Sequence, residues 1–189
     1  MIRFQLTPEH IQKHWTAGSS KAVLMASPAN PTGAMISHGE LEKIAAATEQ
    51  QGGELWVDEI YHGLTYGLDA PSILELTDQA FVINSFSKYF GMTGWRLGWL
   101  VAPEEAIEPL ERLSQNLFIS MSTMAQYAAL AAFKPETRQI LDNRRDEFAK
   151  RREPPQHIHE QTGQWQVRPL RVGGNVKKHN SAFAKLARR

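Results

Sequence analysis

AFVINSFSKYFGMTGWRLGWLVA, residues 80–102, reads as a strand, a loop and a second strand. The apolar runs AFVINS (80–85) and RLGWLVA (96–102) flank a connection too short and too rich in glycine for a packed crossover helix. The second run is therefore expected to return antiparallel to the first. The loop itself gathers Ser85, Ser87, Lys88, Gly91, Gly94 and Arg96. Small hydroxyls, flexible backbone and two cations suit an anion, and a lysine beside an anion site can act as a nucleophile.

Upstream, AVLMAS (22–27) and ELWVDE (54–59) are also short apolar runs bounded by turn residues, the pattern of strands buried on both faces. Between them residues 37–51 predict a helix. Ser37 and Glu40 have capping-box spacing, Leu41, Ile44, Ala45 and Thr48 share a face, and Gly52–Gly53 stops the run. Strand, helix and strand at this spacing predict a parallel pair. Residues 60–79 form a looser crossover to the third strand. Three helices follow the fourth strand, at 103–119 (interrupted by Pro109), 122–133 and 135–152. The fold class is α/β, a mostly parallel sheet flanked by helices with one antiparallel strand.

Composition narrows the classes. The chain has 189 residues, 42% apolar and 22% charged, which is ordinary for a globular protein with a real core. With no cysteine there are no disulfides, thiolate metal sites or cysteine nucleophiles, and a reducing cytoplasm is the expected setting. No run approaches the ~18 apolar residues of a membrane span, and the N-terminus is not signal-like. Residues 153–189 carry seven Lys+Arg against two Glu, leaving 14 against 18 elsewhere, and they lack periodicity. A boundary is therefore placed near Arg152, giving residues 1–152 and a basic tail, disordered or non-homologous, at 153–189. The tail lacks clustered aromatics, so no nucleic-acid partner is expected. His10 and His14, like His157 and His159, have no further ligands near them in sequence and read as surface histidines, so no metal is expected.

In open α/β sheets ligands sit outside the carboxyl ends of the parallel strands. That rule collects Asn30, Asp58, Tyr61, Ser85, Ser87, Lys88 and Arg96 on one rim. Taken singly, Lys88 reads as a surface lysine, Asn30 as a turn residue and Tyr61 as a packing aromatic. A carboxylate on an apolar strand reads differently: Asp58 would be a buried charge in need of a partner. Trp95 and Trp99 read as packing for the loop.

Three ordered blocks, SPANPTG (27–33), VDEIYHG (57–63) and SFSKYFGMTGWRLG (85–98), resemble the class I/II pyridoxal-phosphate-dependent aminotransferases, of aspartate aminotransferase-like fold type I. The resemblance covers about residues 1–152 and corresponds to the central part of such an enzyme, an incomplete large domain. It implies amino-group transfer between an amino acid and a 2-oxo acid, with pyridoxal 5'-phosphate as cofactor and a homodimer as the assembly. Lys88 would form the Schiff base and move the proton at the substrate Cα. Asp58 would pair with the pyridine nitrogen, Asn30 and Tyr61 with the phenolic oxygen, and Ser85, Ser87 and Arg96 with the phosphate. It also implies a cis Asn30–Pro31 bond.

Family chains are longer. Before the matching region they carry a further phosphate-binding glycine segment and a stacking aromatic. After it they carry an arginine for the substrate carboxylate, and neither Arg168 nor Arg171 has that arginine's context. The expectation is a truncated aminotransferase. The alternative is an inactive fragment that at most binds the cofactor.

Overall fold

Val23 and Met25 alternate with Ala22, Leu24 and Ala26, and this period of two makes β1 (Ala22–Ala26) a strand with one buried face. The same alternation buries Leu55 and Val57 in β2 (Glu54–Asp58). β3 (Ala80–Ser85) and β4 (Gly98–Val101) complete a four-stranded sheet of order β1-β2-β3-β4. The first three strands are parallel and β4 is antiparallel to β3, as the short glycine-rich return requires. This computed structural model describes residues 5–152. Contacts divide the chain between Arg151 and Arg152, and the expectations for 153–189, including His157, His159, Arg168 and Arg171, lie outside the described residues.

One face of the sheet is covered. α1 (Pro8–His14) contributes Ile11, and α2 (His38–Gln50) lays Leu41, Ile44, Ala47 and Thr48 over Val23, Met25, Leu55, Val57, Ala80 and Val82. Leu41 and Ile44 are fully buried, worth about 1.5–3 kcal/mol each as apolar transfer. A 3-10 turn at Ile73–Glu75 closes the edge of this core with a fully buried Ile73. The opposite face is open at β1, where Leu24 is 71% exposed, but on β3 Phe81 is buried and stacks on its cross-strand partner Trp56 at 4.2 Å between centroids. The expectation of strands buried on both faces therefore holds at Ala80–Val82 of β3 and is corrected for β1 and β2, whose buried residues alternate.

Other local expectations shift for physical reasons. Ser37 is the N-cap of α2, but its side chain makes no capping bond; Glu40 is taken by Lys43 at 2.9 Å, and the Glu40 and Leu41 amides bond the Ser37 carbonyl instead. Ala47, rather than Ala45, completes the buried stripe, and Ala45 is partly buried beside it. Gly52 at φ +67 ends the helix in the left-handed conformation that glycine adopts freely.

α3 (Glu104–Leu117) runs through Pro109 without a break. The proline lies in the second turn, so it removes one bond while the flanking turns hold. No side chain of α3 is buried. α4 (Thr123–Ala132) packs Ala125, Ala129 and Ala132 against Phe86 and Leu97 in a second, smaller core. α5 (Pro135–Arg152) opens on a proline whose missing N–H would have had no partner there. Among the described residues no helix is long and apolar enough to cross a membrane.

Candidate functional site

Three parallel strands place Ala26, Asp58 and Ser85 at one sheet edge. β4 enters at the same edge, since Gly98 pairs with Ser85. The strand begins two residues later than the apolar run suggests. Arg96 sits at φ +53 and ψ +50, a left-handed turn that cannot continue a strand. The turns after β1 and β2 and the lysine loop after β3 therefore share one rim.

Three of the expected residues touch in series. Asn30 Nδ2 donates to the Tyr61 hydroxyl at 3.2 Å, and Lys88 Nζ lies over the Tyr61 ring, 5.3 Å from its centroid. Lys88 is exposed, so its amine is open to a ligand. Asn30 is also exposed, and both Asn30–Pro31 and Ser27–Pro28 are cis. Asp58 is half-buried, with Oδ1 accepting from the Ile60 amide at 3.0 Å. The buried carboxylate is its neighbour Glu59, 4% exposed. Period-two alternation turns Glu59 inward, where the Ser72 hydroxyl and the Ile73 amide supply hydrogen bonds at 3.0 and 2.9 Å.

The lysine loop is braced from within and from α5. Ser87 N donates to Ser85 Oγ at 3.1 Å, the Thr93 hydroxyl donates to the Ser87 carbonyl at 2.7 Å, and Arg96 Nη1 donates to the Thr93 carbonyl at 3.2 Å. Tyr89, next to Lys88, donates its hydroxyl to Asp142 at 2.6 Å, and Arg144 Nη2 reaches the Tyr89 carbonyl at 2.7 Å. Burial, and then the Asp142 carboxylate, push the Tyr89 phenol above its ordinary value. Gly91 has φ +67, and a Cβ there would lie 2.6 Å from Arg144 Nη1. Trp99 packs the loop as expected, edge-on to Phe86 at 5.2 Å, whereas Trp95 is 45% exposed.

Sequence reasoning missed several residues that shape the rim. Asn84 joins β3 to β2 by donating to the Glu59 carbonyl at 3.1 Å, and it accepts from Ser85 N at 2.8 Å. Glu59, Thr93, Asp142 and Arg144 were also passed over. Glu59 carried a signal, being the inward member of the Asp58–Glu59 pair. Asp142 and Arg144 carried none, because they meet the loop from more than 50 residues away. A cavity of about 380 Å³ lies beside this bracing, between Asn84, Ser85, Tyr89 and the α5 residues Arg138, Asp142 and Arg145. Of the seven expected residues it is lined only by Ser85.

The family model for aminotransferase class I and II matches residues 2–154. The chain belongs to that family. Among its relatives, the valine–pyruvate aminotransferase of Mycobacterium tuberculosis is 42% identical over 68% of this chain and 34% of its own length. The aspartate aminotransferase of Geobacillus stearothermophilus is 37% identical over 69% of this chain and 34% of its own length. A crystal structure of an aminotransferase from M. tuberculosis superposes with a TM-score of 0.74 at 37% identity, covering 80% of this chain and 41% of that one. The chain thus spans about a third of the length of the curated relatives it matches. The sheet described above, with its single antiparallel strand, is the part of the family fold that this chain holds.

Proposed function

We propose that this chain carries the pyridoxal 5'-phosphate site of an aminotransferase that exchanges an amino group between an amino acid and a 2-oxo acid. One observation carries the reading: at the strand ends Lys88 lies open over Tyr61, and Tyr61 is bonded to Asn30. The donor set suits the group. It holds an amine for an aldehyde, a carboxylate for a pyridinium, an amide and a phenol for a phenolic oxygen, and two hydroxyls with a guanidinium for a phosphate. When bound, the cofactor supplies an aldehyde and a ring that takes up the electron pair released at the substrate Cα.

The chain's own residues do the rest. Lys88 Nζ would hold the group through its aldehyde, with water leaving, and would carry the proton to and from the Cα. Asp58, whose Oδ1 accepts from the Ile60 amide, would hold a proton at the pyridine nitrogen with its other oxygen. Asn30, by its second amide N–H, and Tyr61, by its O–H, would donate to the phenolic oxygen. Ser85, Ser87 and Arg96 would hold the phosphate, the planar guanidinium matching its oxygens. The expected setting is the cytoplasm and the expected assembly a homodimer, supported by the family and by the lack of cysteine.

Exposure of Asn30, Lys88 and Arg96 favours a second reading, in which the chain binds the cofactor without turning over. Pyridoxal phosphate followed by borohydride reduction and peptide mapping tests the site. Label concentrated on Lys88, and lost in Lys88→Ala, is expected; label spread over surface lysines would refute it. Turnover with an amino acid and a 2-oxo acid then separates enzyme from binder.

A further inference from the structure

Two turns carry Asn30 and Tyr61, and two side-chain hydrogen bonds tie those turns together. One is Asn30 to Tyr61 itself. The amide keeps a second N–H and the phenol its own O–H, so a ligand can take hydrogen bonds from both residues while this bond stays. The other is His62, whose Nε2 lies 3.1 Å from the Ser27 carbonyl oxygen at the start of the Asn30 turn. A carbonyl only accepts, so Nε2 is the donor. On its other side the His62 ring sets Nδ1 3.4 Å from Glu59 Oε2. Glu59 is buried, and the Ser72 hydroxyl and Ile73 amide fix its carboxylate, so it gives the ring a rigid backstop.

His62 is largely buried, with 21% of its side chain exposed, and it is absent from the series Asn30–Tyr61–Lys88 that faces a ligand. Its bond to Ser27 uses no group of that series.

We propose that His62 is the positioning residue of this rim: braced by Glu59, it fastens the turn of residues 27–33 to the end of β2. It thereby keeps Asn30 and Tyr61 at the separation at which both can reach one ligand. The ligand's identity rests on the pyridoxal-phosphate reading; the fastening does not. A fixed carboxylate beside one ring nitrogen holds the ring's orientation and so the direction of the other.

The variants separate the ring's two contacts. His62→Gln can place an amide donor near Nε2 and keep the Ser27 bond, whereas His62→Asn reaches only the Nδ1 position and His62→Leu makes neither bond. Hydrogen exchange of the full chain without added cofactor reads the turn through the Ala29 and Gly33 amides, which bond Ala34 and Ala29 carbonyls. In Leu and Asn variants these amides should exchange about tenfold faster, with α2 amides unchanged, and Gln should restore protection. Affinity for pyridoxal phosphate, followed by absorbance, should fall about tenfold in Leu and Asn and recover in Gln. The proposal is overturned if the turn amides of Leu and Asn match the wild type, if Gln behaves as Leu does, or if α2 loosens equally. Should Leu fail to fold, the Asn and Gln pair makes the same comparison. If the wild type takes up no pyridoxal phosphate, the cofactor reading fails, and the exchange result alone decides the role of His62.

Discussion

In the β1–α2–β2 half, Leu41 and Ile44 are fully buried, whereas in α3 and the turn after it Leu113, Leu117, Phe118 and Ile119 are 54%, 69%, 50% and 80% exposed. Both regions are written with apolar residues at helical spacing. They differ in where the chain goes next. A crossover helix returns over the strands it connects, so α2 finds its partner within its own supersecondary unit. α3 leaves an antiparallel edge strand, and none of its side chains is buried. Amphipathicity states that a helix has a face to bury; it does not supply the surface that buries it.

Paired truncations test this contrast directly. Ile44→Ala should lower stability by about 2–5 kcal/mol in urea unfolding, the usual range for emptying a packed core site. Leu113→Ala should stay within about 0.5 kcal/mol, as exposed substitutions do. Equal losses would erase the distinction between the two regions.

Smaller effects sharpen it at the boundary between core and rim. Glu59→Leu would leave the buried Ile73 amide and the Ser72 hydroxyl without their acceptor, at about 1–3 kcal/mol by the same unfolding measurement. Gly91→Ala forces a side chain into a left-handed position against Arg144, for about 1–2 kcal/mol, with faster exchange expected in the lysine loop. An unchanged exchange rate there would mean that α5 does not brace the loop.

Tyr89→Phe should cost about 1 kcal/mol by removing the bond to Asp142. It also carries a pH signature. The folded phenol is held above its ordinary value, so its contribution is complete below about pH 10 and falls as pH rises through the folded value. The wild type should therefore lose part of its advantage over the Phe variant only in alkali. Parallel stability profiles across that range would show that the phenol contributes nothing through its proton.

Much of this architecture was legible locally. Glycine-rich brevity between residues 85 and 96 dictated an antiparallel return, and the helix between β1 and β2 dictated a parallel pair, because chain length limits which crossovers can be built. Strand polarity then brought Asn30, Tyr61 and Lys88 to one edge, where they meet. The misreadings share a cause. Ser37 lost its capping partner to Lys43, and β1 and β2 have one buried face where two were expected. In each case an apolar or polar pattern had a competing or absent partner that local spacing does not reveal.

By itself, then, the sequence determined strand polarity and the collection of chemistry on one rim, since these follow from periodicity and connection length. Only the tertiary structure decided which carboxylate is buried, which face is covered, and that Asp142 and Arg144 hold the residues beside Lys88. Those outcomes depend on contacts between side chains far apart along the chain, and no local spacing encodes them.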